Sequence, residues 1–495
     1  MNKLNFLLFA IFIALIFPSC QIKQEKPNIL FIAIDDLRPE LGTYGNTQIK
    51  SPNIDKFASQ GLVFNRAYCQ QPICMASRAS LLSGLRPDTL NIYNCESLEE
   101  DAPGILTLDQ HFENNGYEIW AAGKIYHHGI DYEVQFGNAY HKVETEQVGR
   151  GYLSSESIEI VEEYDTWYRE NRNQRGGGRG PAFEWPDVPD NAYHDGKMTD
   201  MAIEKFAELK SSDTPFFMAV GYKKPHLPFN APKKYWDMYP KIQPADNPYH
   251  PENVSQYFDY NFGELRNYYG IPKGNEALSD SVSQTLKHGY YACVSYIDSQ
   301  IGRLLEGLKA NGLDENTVVI LWGDHGWKLG EHNMWCKHTQ FHLDNHVPMI
   351  VKVPGQKPAK TDALVEFVDI YPSLCELAGL ELPDHLQGTS FVPLVDNPDQ
   401  KWKEGALSYW PESNRTDPEK VIMGYTVQTD RYRYTEWVRV STGELLARDL
   451  FDHQIDPDEN KSIANDPDNE ELMQRLSKML DRGKGWREIG KSIAL

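Results

Sequence analysis

The 495 residues exceed the roughly 250 to 300 at which one hydrophobic core stops growing, so the chain can hold a large domain and a smaller one. A hydrophobic share of 40% against 24% charged residues, with 36 Gly and 30 Pro, is globular composition and excludes a disordered, collagenous or membrane-embedded chain. The 71 acidic and 49 basic residues give a formal charge of −22, which repels a phosphate backbone and argues against a nucleic-acid partner; a polyanionic substrate would need a local cationic pocket.

At the N-terminus, Lys3 precedes an apolar run over 6–17. It falls short of the ~18 to 20 residues of a spanning helix and reads as the core of a signal peptide. Ser19-Cys20 then looks like a bacterial lipobox, in which Cys20 is acylated and becomes the mature N-terminus, although Phe17-Pro18 depart from the usual residues there. The alternative is simple cleavage near Ser19 without lipid. We assign 1–19 to the signal peptide, 20–400 to the main domain and 401–495 to the smaller one. Such a chain is exported, to the periplasm or as a lipoprotein of the outer membrane of a Gram-negative bacterium, and meets a membrane only through that lipid.

Short runs rich in Val, Ile and Phe at 28–34 (NILFIAI), 117–122 (YEIWAA), 214–220 (TPFFMAV), 317–322 (TVVILW) and 347–353 (VPMIVKV) predict strands buried on both faces. A helix is predicted over 283–311, with Val294, Ile297, Ile301, Leu304 and Leu308 at spacings of three and four and Gly312 closing it. Strands alternating with helices imply an α/β fold with a largely parallel sheet. The segments 175–180 (RGGGRG) and 243–253 read as surface loops. Past residue 400, antiparallel strands are predicted at 421–427 and 431–440 and a helix at 470–483, which together make a small α+β domain.

Four of the predicted strands run into ionisable residues: Asp35-Asp36, then Lys124 and His127, then Lys223, Lys224 and His226, then Asp324-His325. In open α/β sheets the ligand crevice lies beyond the carboxyl ends of the strands, so these groups can converge. Each alone is more often a solvated loop or a structural residue. Together, three carboxylates from two strand ends supply the oxygen ligands that a hard divalent cation needs. A helix opening at Cys74 would put Arg78 on the same face, and its free N–H groups would favour an anion. A C-x-A-x-R pattern by itself arises by chance.

Cysteines occur at 20, 69, 74, 95, 293, 336 and 375 without a CxxC pair, so neither a zinc site nor a thioredoxin motif is indicated. With Cys20 and Cys74 set aside an odd number remains, so at least one thiol is free and disulfides do not hold the fold together.

The C-x-A-x-R segment, with an Asp-Asp strand end before it and an Asp-His strand end far after it, resembles the type I sulfatases of the alkaline phosphatase superfamily. The segments NILFIAIDDLRPELGTYG, CMASRASLLSGLRPDT, GKIYHHG, PFFMAVGYKKPHLPF, YYACVSYIDSQIGRLL, WGDHGWKLGEH and MGYTVQTDRYRYTEW look more narrowly like iduronate 2-sulfatases. The likeness runs through nearly all of the mature chain.

The resemblance implies an alkaline-phosphatase-like sandwich, a large mostly parallel sheet between helices, followed by a smaller domain with an antiparallel sheet. It implies that Cys74 is converted by a maturation enzyme into Cα-formylglycine, whose hydrate is the nucleophile. It further implies that Asp35, Asp36, Asp324, His325 and the modified Cys74 hold Ca²⁺, with Mg²⁺ or Mn²⁺ left open because a nitrogen ligand is unusual for Ca²⁺. Arg78, Lys124 and His127 correspond to the groups beside the nucleophile, and His226 and Lys337 to those beside the leaving sugar oxygen. Trp327, Lys328 and His332 are candidates for the rim that reads the sugar. Two positions depart from the wider family: Ala76 stands where many members have Pro, and His325 where many have Asn.

The expected substrate is a sulfated carbohydrate, with a 2-O-sulfated uronic acid of a glycosaminoglycan or ulvan in the lead. Two other readings stay open: a phosphate or phosphonate monoester hydrolase of the same superfamily, and an inactive carbohydrate-binding lipoprotein.

Overall fold

β1 (Asn28–Ile34) lies at the centre of the main sheet, and all of its residues are buried. Successive side chains of a strand point to opposite faces. Accordingly Ile29, Phe31 and Ala33 enter one core, and Leu30, Ile32 and Ile34 the other. The computed structural model describes residues 26–93, 96–127, 129–172, 177–258, 263–274, 276–413 and 420–480. The expected signal peptide, Cys20, Cys95, the start of the expected 175–180 loop and the end of the expected 470–483 helix lie outside them.

The other strands of this sheet are β2 (Leu62–Tyr68), β3 (Glu118–Gly123), β4 (Tyr140–His141), β5 (Phe216–Tyr222), β6 (Thr317–Gly323), β7 (His346–Lys352), β8 (Ala359–Thr361) and β9 (Val365–Glu366). Among the described residues the order is β8-β2-β7-β6-β1-β5-β3-β4, with β9 also on β2. β1 runs parallel to β5 and β6, with Ile29 opposite Phe217 and Val318. Only β7 among these strands is reversed, being antiparallel to both β2 and β6.

Helices cover both faces. α2 (His194–Leu209) and the long α3 (Asp280–Ala310) pack on one, through Met198, Ala202, Phe206, Ile297, Ile301 and Leu304. α1 (Cys74–Ser83) packs on the other through Ala76, Ala79, Leu81 and Leu82. The predicted closing glycine of α3 holds, since Gly312 has φ +71°.

Pairing moves some strand limits. β5 starts at Phe216, after Pro215, and runs on to Tyr222 because Gly221 and Tyr222 stay in register with Ala33 and Ile34. β2 is not marked by a continuous apolar run, because Asn65 and Arg66 interrupt it. That break lies between the stretch paired with β8 (Leu62 to Phe64) and the stretch paired with β9 (Ala67, Tyr68).

The C-terminal sheet is antiparallel throughout: β10 (Ala406–Ser413), β11 (Ile422–Gln428), β12 (Tyr432–Arg439) and β13 (Glu444–Asp452) in sequential order. α4 (Glu470–Leu480) sets Met473, Leu476 and Leu480 against Leu407, Met423, Val427 and Leu450. Trp410, Trp437 and Phe451 from the other face join the core beneath α1, so the small sheet is anchored in the large one. No helix among the described residues is long and apolar enough to cross a membrane.

Candidate active site

The carboxyl ends of β1 and β6 bring the acidic residues together. The Asp35 amide donates to the Tyr222 carbonyl at 3.1 Å and the Asp324 amide to the Ile34 carbonyl at 3.2 Å, which continues the ladder one residue past the strands. Asp36 then adopts φ +61°, an uncommon conformation for a residue with a side chain. It is held there from two sides: its amide donates to Asp324 Oδ1 at 2.9 Å, and the Tyr290 hydroxyl donates to its carbonyl at 2.9 Å. A non-glycine residue fixed in that region is the kind of strain found at working sites.

α1 delivers Cys74 and Arg78 from the second face. The Ser77 hydroxyl donates to the Asp324 carbonyl at 2.5 Å and ties the helix to the end of β6. Cys74 Sγ lies 3.2 Å from His325 Nε2 and 3.8 Å from Asp36 Oδ1. Burial, with Asp35 adding to it, pushes the Cys74 thiol up, so the unmodified thiol stays protonated and is a weak nucleophile. One turn on, Arg78 Nε donates to Asp324 Oδ2 at 2.9 Å, Nη2 reaches Asp35 Oδ1 at 3.3 Å, and Nη1 is used by the carbonyls of Lys124 and Ile125. The guanidinium therefore joins three strand ends. Lys124 reaches them through a glycine contact: its amide donates to the Gly221 carbonyl at 2.7 Å, and a Cβ on Gly221 would sit 2.2 Å from the Lys124 carbonyl. Its ammonium donates to Asp35 Oδ2 at 2.6 Å.

The donor set suits a divalent cation. Potential ligand atoms of Asp35, Asp36, Cys74 and His226 lie within 4.8 Å of one another, as do those of Cys74, Asp324 and His325. His325 faces the Gly326 carbonyl through Nδ1 at 2.9 Å, so Nδ1 carries the hydrogen and the Nε2 lone pair points at Cys74 and Asp36. A backbone carbonyl fixing the tautomer in this way is the usual arrangement behind a ligating imidazole. Against burial, Lys124, His226 and Arg78 hold the Asp35 carboxyl well below its ordinary range. Burial and the neighbouring Asp35, Glu264 and Asp324 push the Asp36 carboxyl well above its own, despite Lys337. Lys337 thus does not offset the burial and the acidic neighbours that Asp36 faces.

Lys337 donates to Asp36 Oδ1 at 3.0 Å and to Asp36 Oδ2 at 3.2 Å, lies 3.2 Å from Glu264 Oε2, and rests 4.7 Å over the Trp327 ring. His226 donates from Nδ1 to the Leu227 carbonyl at 2.6 Å, which turns Nε2 toward Glu264 Oε1 at 3.3 Å. A cavity of about 420 Å³ opens against Asp35, Lys124, His127 and His226, with His127 exposed on its wall.

Known proteins match most of the chain that carries this site. A family model described as Sulfatase matches residues 27–380. The chain belongs to the sulfatase family. The protein is a sulfuric ester hydrolase. A second model, described as N-sulphoglucosamine sulphohydrolase, C-terminal, matches residues 330–485 of this sulfatase. Iduronate 2-sulfatase from Homo sapiens is 31% identical over 529 residues, covering 91% of this chain and 93% of that protein. Among solved structures, a 2-O GAG sulfatase superposes with TM-score 0.70 at 22% identity, over 92% of this chain and 91% of that one. A phosphonate monoester hydrolase from Silicibacter pomeroyi superposes with TM-score 0.71 at 21% identity, over 92% of this chain and 94% of that one, so the fold itself serves both chemistries.

The structure of this sulfatase corrects one group of expected site residues. Trp327, Lys328 and His332 do not form an accessible rim: they are 0%, 0% and 1% exposed. Trp327 lies beneath Lys337, and its carbonyl accepts from Arg38 Nη1 at 3.0 Å. Lys328 is used in a buried pair with Asp344 and donates to Thr339 Oγ1 at 2.8 Å. The His332 ring packs 4.5 Å from that of Phe341. The site also contains Glu264, which bridges Lys337 and His226 and carries no motif in the sequence. The five described cysteines, Cys69, Cys74, Cys293, Cys336 and Cys375, are all free thiols.

Proposed function

We propose that this sulfatase removes sulfate from a 2-O-sulfated uronic acid in oligosaccharides of a glycosaminoglycan or ulvan, with Cys74 converted to Cα-formylglycine. The supporting observation for the nucleophile is the placement of Cys74 at the start of α1, 3.2 Å from His325 Nε2 and one turn from Arg78. The likeness to iduronate 2-sulfatase over nine-tenths of both chains supports the substrate class.

Asp35, Asp36, Asp324 and His325 would hold a divalent cation, Ca²⁺ in the leading reading, beside residue 74. When bound, the cation supplies positive charge that polarises sulfate oxygens and acidifies the attacking hydroxyl. The hydrated aldehyde would supply two hydroxyls on one carbon: one to attack sulfur as the bond to the sugar oxygen breaks, and the other to lose its proton and re-form the carbonyl as the carbon–oxygen bond to the bound sulfate breaks. The chain's own groups do the rest. Arg78 and Lys124 fix Asp35 and present positive charge to the sulfate from one side. Lys337 and His226, which both contact Glu264, would protonate the departing sugar oxygen. General acid–base assistance is worth typically ~10²- to 10⁴-fold, so electrostatic clamping of the sulfate carries much of the remaining acceleration.

The same proposal has the protein exported, anchored to a membrane only through a lipid on Cys20, and matured by an enzyme that accepts Ala76 in the C-x-A-x-R motif. The test is turnover of 2-, 3-, 4- and 6-O-sulfated saccharides, with Cys74→Ala as the blank. Release of sulfate from the 2-O-sulfated uronate is expected, and activity confined to 6-O-sulfated hexosamines would refute the uronate assignment. The fold shared with a phosphonate monoester hydrolase keeps a second reading in view. Comparing the sulfate and phosphate esters of one phenol separates them, since predominant phosphate turnover would contradict sulfate as the preferred group.

A further inference from the structure

The cavity that opens against Asp35 and His226 is lined by several lysines. Its wall includes Lys124, Lys223 and Lys224. Lys124 is held by Asp35 at 2.6 Å. The Lys224 ammonium donates to the carbonyls of His226 and Pro228 at 2.9 and 2.5 Å, so it is a structural pin for the loop after β5. Lys223 is different. Its backbone amide is fixed by both carboxylate oxygens of the buried Asp195, at 3.1 Å each, yet its ammonium makes no hydrogen bond or ion pair among the described residues.

Asp195 also orients the next group along the wall. His194 donates from Nδ1 to Asp195 Oδ1 at 3.0 Å, which leaves the opposite ring nitrogen unused by that contact. One buried carboxylate therefore sets the backbone of Lys223 and the ring of His194 on the same cavity, whose lining also includes Asp35, Lys124, His127 and His226. On a chain with a formal charge of −22, an exposed cation on the wall of this cavity offsets the repulsion an anionic saccharide meets as it enters.

We infer that Lys223, with His194 beside it, forms a second anion subsite that takes a charged group of the saccharide other than the scissile sulfate. That group is either the uronate carboxylate or a sulfate on the adjoining sugar. The inference rests on the sulfated-uronate reading above and names the feature of the substrate that this wall recognises.

The experiment compares wild type, Lys223→Gln and Lys223→Arg on four substrates: 4-nitrophenyl sulfate, a 2-O-sulfated uronate disaccharide with a second sulfate, the same disaccharide without that second sulfate, and its carboxyl-reduced form. Lys223→Gln is expected to lower kcat/KM for the doubly anionic disaccharide at least roughly tenfold more than for the aryl sulfate, mainly through KM, with partial recovery in Lys223→Arg. The source of the anion shows in which substrate change erases that extra penalty, carboxyl reduction or loss of the second sulfate. An equal penalty on all four substrates, or none on any, would overturn the subsite. Wild-type turnover of the aryl sulfate without any 2-O-sulfated disaccharide would instead overturn the uronate reading. The Lys223 comparison is then read on whichever sulfated saccharide is accepted, with and without its second anion.

Discussion

Lys337 and Asp36 form a two-point pair at the centre of the site, with the ammonium 3.0 and 3.2 Å from the two carboxylate oxygens. Lys337 is also 3.2 Å from Glu264, so one cation is shared by a carboxylate that could hold a metal ion and by the residue that faces His226. The pair is buried, and removing one partner of a buried pair leaves an uncompensated charge.

Lys337→Met is therefore expected to lower kcat about 10²-fold or more, in line with loss of a general acid or an electrostatic stabiliser. Glu264→Gln keeps the shape and loses the charge, and its effect is expected to be smaller, on the order of tenfold. Steady-state kinetics with a thermal melt of each variant checks this. A kcat within twofold of wild type for Lys337→Met would remove the residue from the catalytic assignment.

Arg78→Lys tests the fork that joins the strand ends. A lysine cannot reach Asp324 Oδ2 and Asp35 Oδ1 together with the carbonyl of Ile125, the contacts that Arg78 makes at 2.9, 3.3 and 3.0 Å. Breaking such a buried pair costs about 3–5 kcal/mol, so denaturant unfolding should shift along with a loss of activity. An unfolding midpoint equal to that of wild type would show that the fork adds nothing to stability.

Chelation should act on stability as well as on rate. Asp35, Asp36 and Asp324 converge with Cys74, His226 and His325 in a buried site, and a cation bound only by the folded state stabilises it by about 2.7 kcal/mol at a hundred times its Kd. The melting temperature should fall on dialysis against a chelator and rise again with added Ca²⁺. The Asp324→Asn variant should respond less. Identical melting curves with and without chelator would contradict a cation at this position.

Away from the site, the rings of His342, His346 and His453 cluster between β7 and the C-terminal sheet, His342 lying 4.6 Å from His346 in a tilted contact and 5.0 Å from His453 edge-to-face. Burial lowers His346 to about 4, even though its ring donates to the Asn65 carbonyl at 2.8 Å. The unfolded chain, with an ordinary histidine near 6.5, takes up the proton first as the pH falls. The stabilising contribution is thus complete above about pH 6.5 and is lost between about 6.5 and 4, at a cost of roughly 1–3 kcal/mol. Urea titrations across that range should show the loss in wild type and a flatter profile in His346→Gln.

Much of the site is legible in the sequence because the sheet converts order along the chain into position. An apolar run such as 28–34 with no polar alternation marks a strand buried on both faces, so the first charged residues after it, Asp35 and Asp36, must emerge at its end. Glu264 is not legible, since it belongs to no strand end and reaches the site only through the tertiary placement of its loop beside Lys337 and His226. Trp327, Lys328 and His332 mislead for the opposite reason. They follow Asp324-His325 closely, but contacts with Lys337, Asp344 and Phe341, none of them nearer than five residues along the chain, turn them inward.

The most direct test is the mass of the peptide containing residue 74, isolated from enzyme whose sulfate-releasing activity has been measured on the same sample. The formylglycine mass is expected at position 74 in a fraction that rises and falls with specific activity, with no activity in Cys74→Ala. Fully active enzyme carrying an unmodified Cys74 thiol would contradict it.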